Sequence, residues 1–478
     1  MPRRVALLVA ALCGAGGLAF LVYGVGMRPY GIVEAELVFQ ASRLQHGFPL
    51  YVDPALGAWE LGAPPSRYYV LYTPAWPWLL AHVAPPTLLG IRTAGRIVNA
   101  LLLLGTLGIV VRTARPPQRL VVATGALLAL GFAMLVREAG LATADMPAVA
   151  LATLGLARTI RKGGLDPVSS ALLAAAPLVK PSVLGVPVGA VLAHLVVYRR
   201  GGARAMLTPL ATGAIVAAGL VAAFHVASDG SWLTHIVRAT GQTLSLERWA
   251  RELGPRVVFL GAPHAIALVV AARRRAPLLA TLPLATSLAW STFSMAKHGS
   301  GTHYWLEPTM AALLALGAVD GLATSPSRVL AWLGAAFTVA TATVGLRELA
   351  RTPANDRARD ALVTELRERC PLQPGQVVVA TDVSLELELD GRILVPTWQT
   401  SYLVRRGTFP LDLWRADLAR PEVRWFVDGA EFLQPQPERI EGITEVNALR
   451  RELRDVIDDN FTYDGTVGDG ALLVYRRR

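Results

Sequence analysis

The chain has 478 residues, 53% hydrophobic and only 17% charged, with a mean hydropathy of +0.43. That balance excludes an ordinary soluble protein, and the long apolar runs between residues 5 and 350 point to a polytopic membrane protein. The net charge of +11 does not indicate nucleic acid, because no nucleic-acid module is present and the arginines gather at the ends of apolar runs, where they anchor a chain in a membrane.

The start, "MPRRVALLVAALCGAGGLAFLVYGVGM", joins basic residues to an apolar core in the manner of a signal sequence. With many apolar segments after it, it is read as a retained first span, 5–26. Further apolar segments lie at 93–112, 119–136, 141–160, 168–179, 181–198, 205–227, 256–272, 276–295, 303–323 and 329–349, which predicts about eleven spans. Arg3 and Arg4 place the N-terminus in the cytoplasm. Alternation then puts Arg112, Arg115 and Arg119, then Arg158, Arg161 and Lys162, Arg199, Arg200 and Arg204, Arg273, Arg274 and Arg275, and Arg328 on the same side. Segment 168–198 has basic residues at both ends and is short for two crossings, so it is predicted to be a tight hairpin broken near Pro177 and Pro181. The first exoplasmic loop is expected at 27–91. Within it "YYVLYTPAWPWLLAHVA" (68–84), aromatic and broken by proline, is predicted to lie along the interface. A later exoplasmic loop, 228–256, carries Arg238, Arg248, Arg251 and Arg256 against the charge rule, which implies another use for them.

From Thr352 charged residues and proline become frequent, and residues 352–478 are predicted to form one exoplasmic domain. "QVVVATD", "RILVPTW", "VRWFVDG" and "ALLVYRR" read as strands, and "LDLWRADLA" and "VNALRRELRDVID" as helices. The fold class is therefore a polytopic α-helical membrane protein, residues 1–351, with a small C-terminal α/β soluble domain. Cys13 and Cys370 fall in a span and in the soluble domain, so no disulfide is expected, and no metal-ligand spacing appears. "NFT" at Asn460 fits a glycosylation sequon, a pattern common by chance.

Under this threading the polar residues gather on the outer side. Glu34 and Glu36 lie in the first outer loop, Asp145 after the second outer turn, and Lys180 at the hairpin tip. Arg238 lies in "HIVRATGQT", and Lys297, His298 and His303 in "MAKHGSGTHYWLEP". A charge at the bilayer centre costs about 2.5–3.5 kcal/mol on the insertion scale, and a position near the interface avoids much of that. Carboxylates there can move protons and cations can hold an anionic headgroup, which suits a lipid phosphate. Each residue also has a structural explanation. Glu36 fits a solvated loop acid, Asp145 before Met146-Pro147 fits a helix cap, and Lys180 fits a snorkelling side chain.

The motifs recur in a specific order over residues 34–317. "VEAELVFQASRLQHGFPLYVDP" supplies Glu34, Ala41, Gly47, Tyr51 and Asp53. "RYYVLYTPAWPWLL", Asp145-Met146-Pro147, Val179-Lys180-Pro181, His235 to Arg238 and "AKHGSGTHYWLEP" follow. This order resembles the C-type polytopic glycosyltransferases that use polyprenyl-phosphate sugars, above all the protein O-mannosyltransferases and the aminoarabinose transferases of lipid A. The resemblance implies transfer of a sugar from a polyprenyl-phosphate carrier to a lipid, glycan or protein acceptor on the exoplasmic side of the plasma (inner) membrane, by direct displacement with inversion. It implies Glu34 as base, Asp145 assisting or orienting the acceptor, and Lys180, Arg238, Lys297 and the weaker His303 on the donor phosphate. It implies no definite cofactor; some relatives bind a divalent cation, and two carboxylates could hold one here. One departure stands out: the family often has Asp-Glu at the loop acid, whereas this chain has Val33-Glu34.

Two other classes of function compete. A lipid-linked-substrate transporter or flippase calls for internal repeats and polar groups near the midplane, and no clear repeat is seen. A non-catalytic scaffold leaves the one-sided clustering of acids and cations unexplained, although Val33 is compatible with a degenerate family member.

Overall fold

The computed structural model of the protein describes residues 3–27, 30–52, 70, 72–199, 202–240, 244, 246–252, 260–297, 301–319, 328–394, 407, 411–429 and 453–478. Asp53, Arg256, His298 and parts of the segments beginning at 68, 392 and 446 lie outside these residues. The chain is mostly helical. In order come α1 (Arg3–Met27), α2 (Ile32–Gln45), α3 (Ala75–Val83), α4 (Leu88–Thr113), α5 (Arg119–Leu130), α6 (Ala133–Ala139), α7 (Asp145–Lys162), α8 (Pro167–Val179), α9 (Gly185–Tyr198) and α10 (Ala203–Ala227). Then come α11 (Ser231–Thr240), α12 (Leu246–Glu252), α13 (Ala262–Arg273), α14 (Leu278–Ser294), α15 (Leu306–Gly317) and α16 (Arg328–Arg369). The remainder holds β1 (Val377–Ala380), α17 (Val383–Asp390), α18 (Leu411–Leu418), β2 (Val423–Gly429), α19 (453–460), β3 (Phe461–Val467) and β4 (Leu472–Arg477).

Two compact units result. The first comprises Met1–Met27, Thr93–Phe224 and Thr243–Pro353, the second Arg28–Arg92, His225–Gln242 and Ala354–Arg478.

In the first unit the described parts of the apolar segments are mainly helix. Segment 119–136 becomes two, because α5 stops at Leu130 and α6 begins at Ala133 after a turn at Gly131 and Phe132. The predicted hairpin at 168–198 is present as α8 and α9, joined through residues 180–184. α15 is buried along almost its whole length, as expected of a helix that is apolar all round. α7 buries a broad face against α8 and α15. α10, by contrast, has none of its most apolar stretch buried, so that surface faces out of the unit. Among the described residues three helices are long and apolar enough to cross a membrane: Leu7–Gly26, Leu88–Thr113 and Ala203–Ala227. The shorter α8, α9 and α13 are apolar as well. The chain is an integral membrane protein.

α9 and α14 approach unusually closely. The reason is the run Gly185-Val186-Pro187-Val188-Gly189, whose two glycines share one helix face. A Cβ at Gly185 would run into the backbone of Ser287, and one at Gly189 into the backbone of Pro283 and the hydroxyl of Thr286.

In the second unit, the stretch read as the first exoplasmic loop carries α2 and α3. Gln45 ties them together by donating to the carbonyls of Ala81 (3.1 Å) and Ala84 (2.9 Å). Within the predicted 68–84 stretch, α3 buries Trp76, Pro77 and Leu80 and leaves the apolar Trp78, Leu79 and Val83 exposed.

The rest of this unit is an α/β fold around a four-stranded sheet of order β1-β2-β4-β3. β1 and β2 run parallel, and β2–β4 and β4–β3 run antiparallel. Alternate residues feed two cores, as the strand period demands. Val379 and Phe426 meet Trp414 and Leu418 of α18 and Leu453 and Ile457 of α19. Val378, Ala380, Trp425 and Val427 meet Val363 and Leu366 of α16 and Leu385 of α17. The composition break at Thr352 falls inside α16, which continues through Pro353 to Arg369.

Candidate functional site

The first unit brings four of the six predicted residues together. Asp145 opens α7. Ala144 takes the cap position and no side chain caps the helix, so the capping explanation of Asp145 does not hold. Its carboxylate instead accepts a 2.7 Å hydrogen bond from Lys180 Nζ. Lys180 ends α8 in an extended conformation that breaks the helix before Pro181. It is 7% exposed and therefore does not snorkel.

Two polar side chains fix the backbone around this pair. Fully buried Asn99 of α4 donates to the carbonyls of Leu141 and Thr143 (2.8 Å to the latter), holding the turn that leads into Asp145. Trp290 of α14 donates from its indole to the Ser182 carbonyl at 2.7 Å, holding the turn that carries Lys180.

Lys297 follows α14, and His303 lies on the 3-10 turn Thr302–Trp305 before α15. Lys297 is coupled electrostatically to Lys180, and His303 to Asp145, Lys180 and Lys297. Burial, together with the Lys180 charge, holds the Lys297 ammonium below the ordinary lysine range. Among the described residues no ion pair involves Lys297. Lys180 is thus bonded to Asp145, with the His303 imidazole coupled to both and the Lys297 ammonium coupled to Lys180 and His303. That donor set suits an anion. Asp145, while bonded to Lys180, does not by itself offer a divalent cation an open place. Among the described residues no group of three metal-ligating side chains exists either.

A buried acid that sequence reading did not single out lies in the same unit. Glu307, in the first turn of α15, accepts the Val186 N–H at the start of α9 (2.8 Å) and the Ser287 hydroxyl of α14 (3.1 Å). Its signal was present in "THYWLEPTM", an acid inside an apolar run, a placement that is rarely without purpose.

The other two predicted residues belong to the second unit. Glu34 is fully buried, and its Oε2 accepts the Gly31 N–H (3.2 Å) at the start of its own helix α2. Glu36, expected as a solvated loop acid, is buried as well, at 2% exposure. The two are two residues apart on one helix and so do not share a face, which rules out a carboxylate pair from α2 alone. In the His235-to-Arg238 motif the roles divide. His235 is buried, accepts the Val70 N–H at Nδ1 (3.0 Å) and meets the Tyr51 ring edge-on, while the Tyr51 hydroxyl donates to the Tyr72 carbonyl (2.7 Å). Arg238 is exposed near the end of α11.

Two apolar pockets flank α9 in the first unit. One, about 310 Å³, lies against α14 and is lined by Leu184, Val188, Thr286, Ala289, Trp290 and Phe293. It opens beside the turn that holds Lys180 and the end of α14 that precedes Lys297. The other, about 400 Å³, lies among α8, α9 and α10, with Pro177, Pro187 and Pro209 in its wall.

No protein-family profile matches the chain, and no curated protein matches it. Solved structures do. ArnT from Cupriavidus metallidurans, a lipid A aminoarabinose transferase, aligns over 97% of this chain and 97% of its own in the apo state, at TM-score 0.58 and 14% identity. The same protein bound to undecaprenyl phosphate aligns over the same shares at TM-score 0.57 and 14% identity. An oligosaccharyltransferase from Archaeoglobus fulgidus aligns over 100% of this chain and 75% of its own, at TM-score 0.48 and 12% identity. The likeness to ArnT runs from end to end and shows that the chain has the C-type glycosyltransferase fold expected from its motif order.

Proposed function

We propose that the protein is an integral membrane glycosyltransferase that moves a sugar from a polyprenyl-phosphate carrier to a lipid, glycan or protein acceptor on the exoplasmic side of the membrane. The observation that carries this reading is the buried Lys180–Asp145 pair with the partly buried His303 and Lys297 electrostatically coupled to it, beside an apolar pocket, in a chain with the C-type fold. A phosphate headgroup needs the first and an isoprenoid tail the second. The crystallisation of ArnT with undecaprenyl phosphate supports that class of carrier.

In this reading the phosphate departs as an anion, and its growing negative charge is met by Lys180 and Lys297, with His303 as a further donor. Asp145 holds the Lys180 ammonium in place and thereby sets where the phosphate sits. The tail runs into the pocket between α9 and α14. Glu34 takes the acceptor proton and Arg238 adds a cation to the donor; these two assignments rest on the motif resemblance. The threading of about eleven spans, with a cytoplasmic N-terminus and residues 352–478 outside, belongs to the same proposal.

The test is sugar transfer from a panel of polyprenyl-phosphate sugars by purified protein in lipid nanodiscs. Turnover is expected with at least one donor and is expected to vanish in Glu34→Gln at unchanged expression. A flippase or scaffold would tolerate that substitution.

A further inference from the structure

The turn 180–184 carries the most buried cation of the site, and several bonds hold it. Asp145 takes its Lys180 ammonium, Trp290 donates to its Ser182 carbonyl, and the Val183 N–H closes back on the Lys180 carbonyl at 3.0 Å. The turn ends where α9 begins, and the first turn of α9 rests on Glu307. Glu307 stands four residues after His303, on the helix that the His303 turn initiates. Its Oε2 also takes the Ser287 hydroxyl of α14, the helix that ends just before Lys297. One side chain, 4% exposed, therefore joins the three elements that carry Lys180, His303 and Lys297.

Packing alone would not require a carboxylate there. α9 and α14 already meet through Gly185 and Gly189, and an apolar residue of similar volume would fill the space. What a carboxylate adds is direction. Two acceptor oxygens fix the start of α9 relative to α14 at a helix N-terminus, where backbone N–H groups and the helix dipole favour negative charge. We propose that Glu307 is a positioning residue that sets the spacing between Lys180 and the His303–Lys297 pair by clamping the N-terminus of α9 to α14 and α15. This rests on the anion-site reading above, but its test does not depend on turnover.

The experiment is amine labelling of the intact protein in nanodiscs. The modification rates of Lys180 and Lys297 are read by peptide mass spectrometry, beside the affinity for undecaprenyl phosphate and the melting temperature. Glu307→Gln keeps one acceptor for the Val186 N–H and a polar group for Ser287, so its Lys180 rate is expected to stay near that of the wild type. Glu307→Leu removes both acceptors. Its Lys180 rate is expected to rise about tenfold and undecaprenyl phosphate affinity to fall by a similar factor. Glu307→Asp keeps the carboxyl group but shortens the reach, so an intermediate rise is expected, and it decides the matter should the leucine variant fail to fold. A lowered melting temperature with Lys180 labelling unchanged in both the Leu and Asp variants would overturn the clamp and leave Glu307 merely structural. If the wild type binds no lipid phosphate, the anion-site reading fails, while the Lys180 rates still decide the clamp.

Discussion

Asp145 and Lys180 lie 35 residues apart in the chain and meet at 2.7 Å, with side chains 6% and 9% exposed. A pair so buried holds together two charges that neither helix would accept alone. Removing one partner leaves the other unpaired in a low-dielectric interior, at a cost of about 3–5 kcal/mol, whereas replacing both by neutral groups costs far less. Asp145→Asn alone and Lys180→Met alone are predicted to lower the melting temperature more than the double variant does. Thermal unfolding of the four proteins in one detergent measures the coupling, and additive effects would show that the pair is not an energetic unit.

Asn99 acts on the same site through the backbone. Its amide satisfies the carbonyls of Leu141 and Thr143, both buried. Asn99→Leu leaves them without that donor, and the variant is predicted to lose about 1–3 kcal/mol for each unpaired group. The loss is readable as a lower denaturation midpoint.

The α9–α14 contact depends on glycine. Gly189→Ala places a methyl group against the Pro283 backbone and is predicted to destabilise by about 1–3 kcal/mol through overpacking. Gly105→Ala in α4 is the control. A Cβ there meets nothing within 4 Å, and removing a helix-interior glycine is predicted to be neutral or to stabilise by about 0.5–1 kcal/mol. Equal effects of the two substitutions would refute the close approach.

The C-terminal α/β fold has a pH dependence of its own. Burial pushes the Asp390 carboxyl from 3.8 up to about 7, with Arg392 opposing, and its buried Oδ2 has no hydrogen-bond partner among the described residues. Burial raises Glu386 on the same helix face as well. A carboxyl whose folded-state value is raised binds more protons folded than unfolded, so its contribution to stability is complete below about pH 4 and is lost as pH rises towards 7. Melting of this fold is predicted to fall over that window. Asp390→Asn is predicted to flatten the fall and the further substitution Glu386→Gln to flatten it more. An unchanged slope in the double variant would contradict the assignment.

The helices of the first unit were legible because apolar runs and basic flanks are strong signals that survive without any knowledge of packing. The hairpin tip at Lys180 was legible for a similar reason, since proline on both sides of a charge leaves few alternatives. β3 was not. "FTYDGTV" is interrupted by Asp464-Gly465, and its middle residues are not buried, so no apolar alternation marks it as a strand. α2 fell in a predicted outer loop because residues 27–91 lie between two apolar spans, and only the tertiary fold shows Glu34 and Glu36 to be buried.

Of the candidate site, Asp145, Lys180, Lys297 and His303 were singled out by their chemistry, and the structure places all four in one unit. Asn99 and Glu307 were passed over. A residue that acts by holding a backbone turn has no motif; its role exists only once the turn it holds is in place. The pairing of Asp145 with Lys180 was equally invisible, because each had an acceptable local explanation as a cap or a snorkelling lysine. Only three-dimensional proximity removes both explanations at once.

The most direct test of the account is retention of polyprenyl phosphate, read by native mass spectrometry of gently purified wild type, Lys297→Ala and Lys180→Ala. Lys297 has no ion-pair partner among the described residues, so its removal is predicted to leave the melting temperature unchanged. Yet both variants are predicted to lose a carrier lipid, bare or sugar-loaded, that the wild type keeps. Bulk phospholipid alone in the wild type, with no uptake of added polyprenyl phosphate, would contradict the assignment of this cluster to a carrier phosphate.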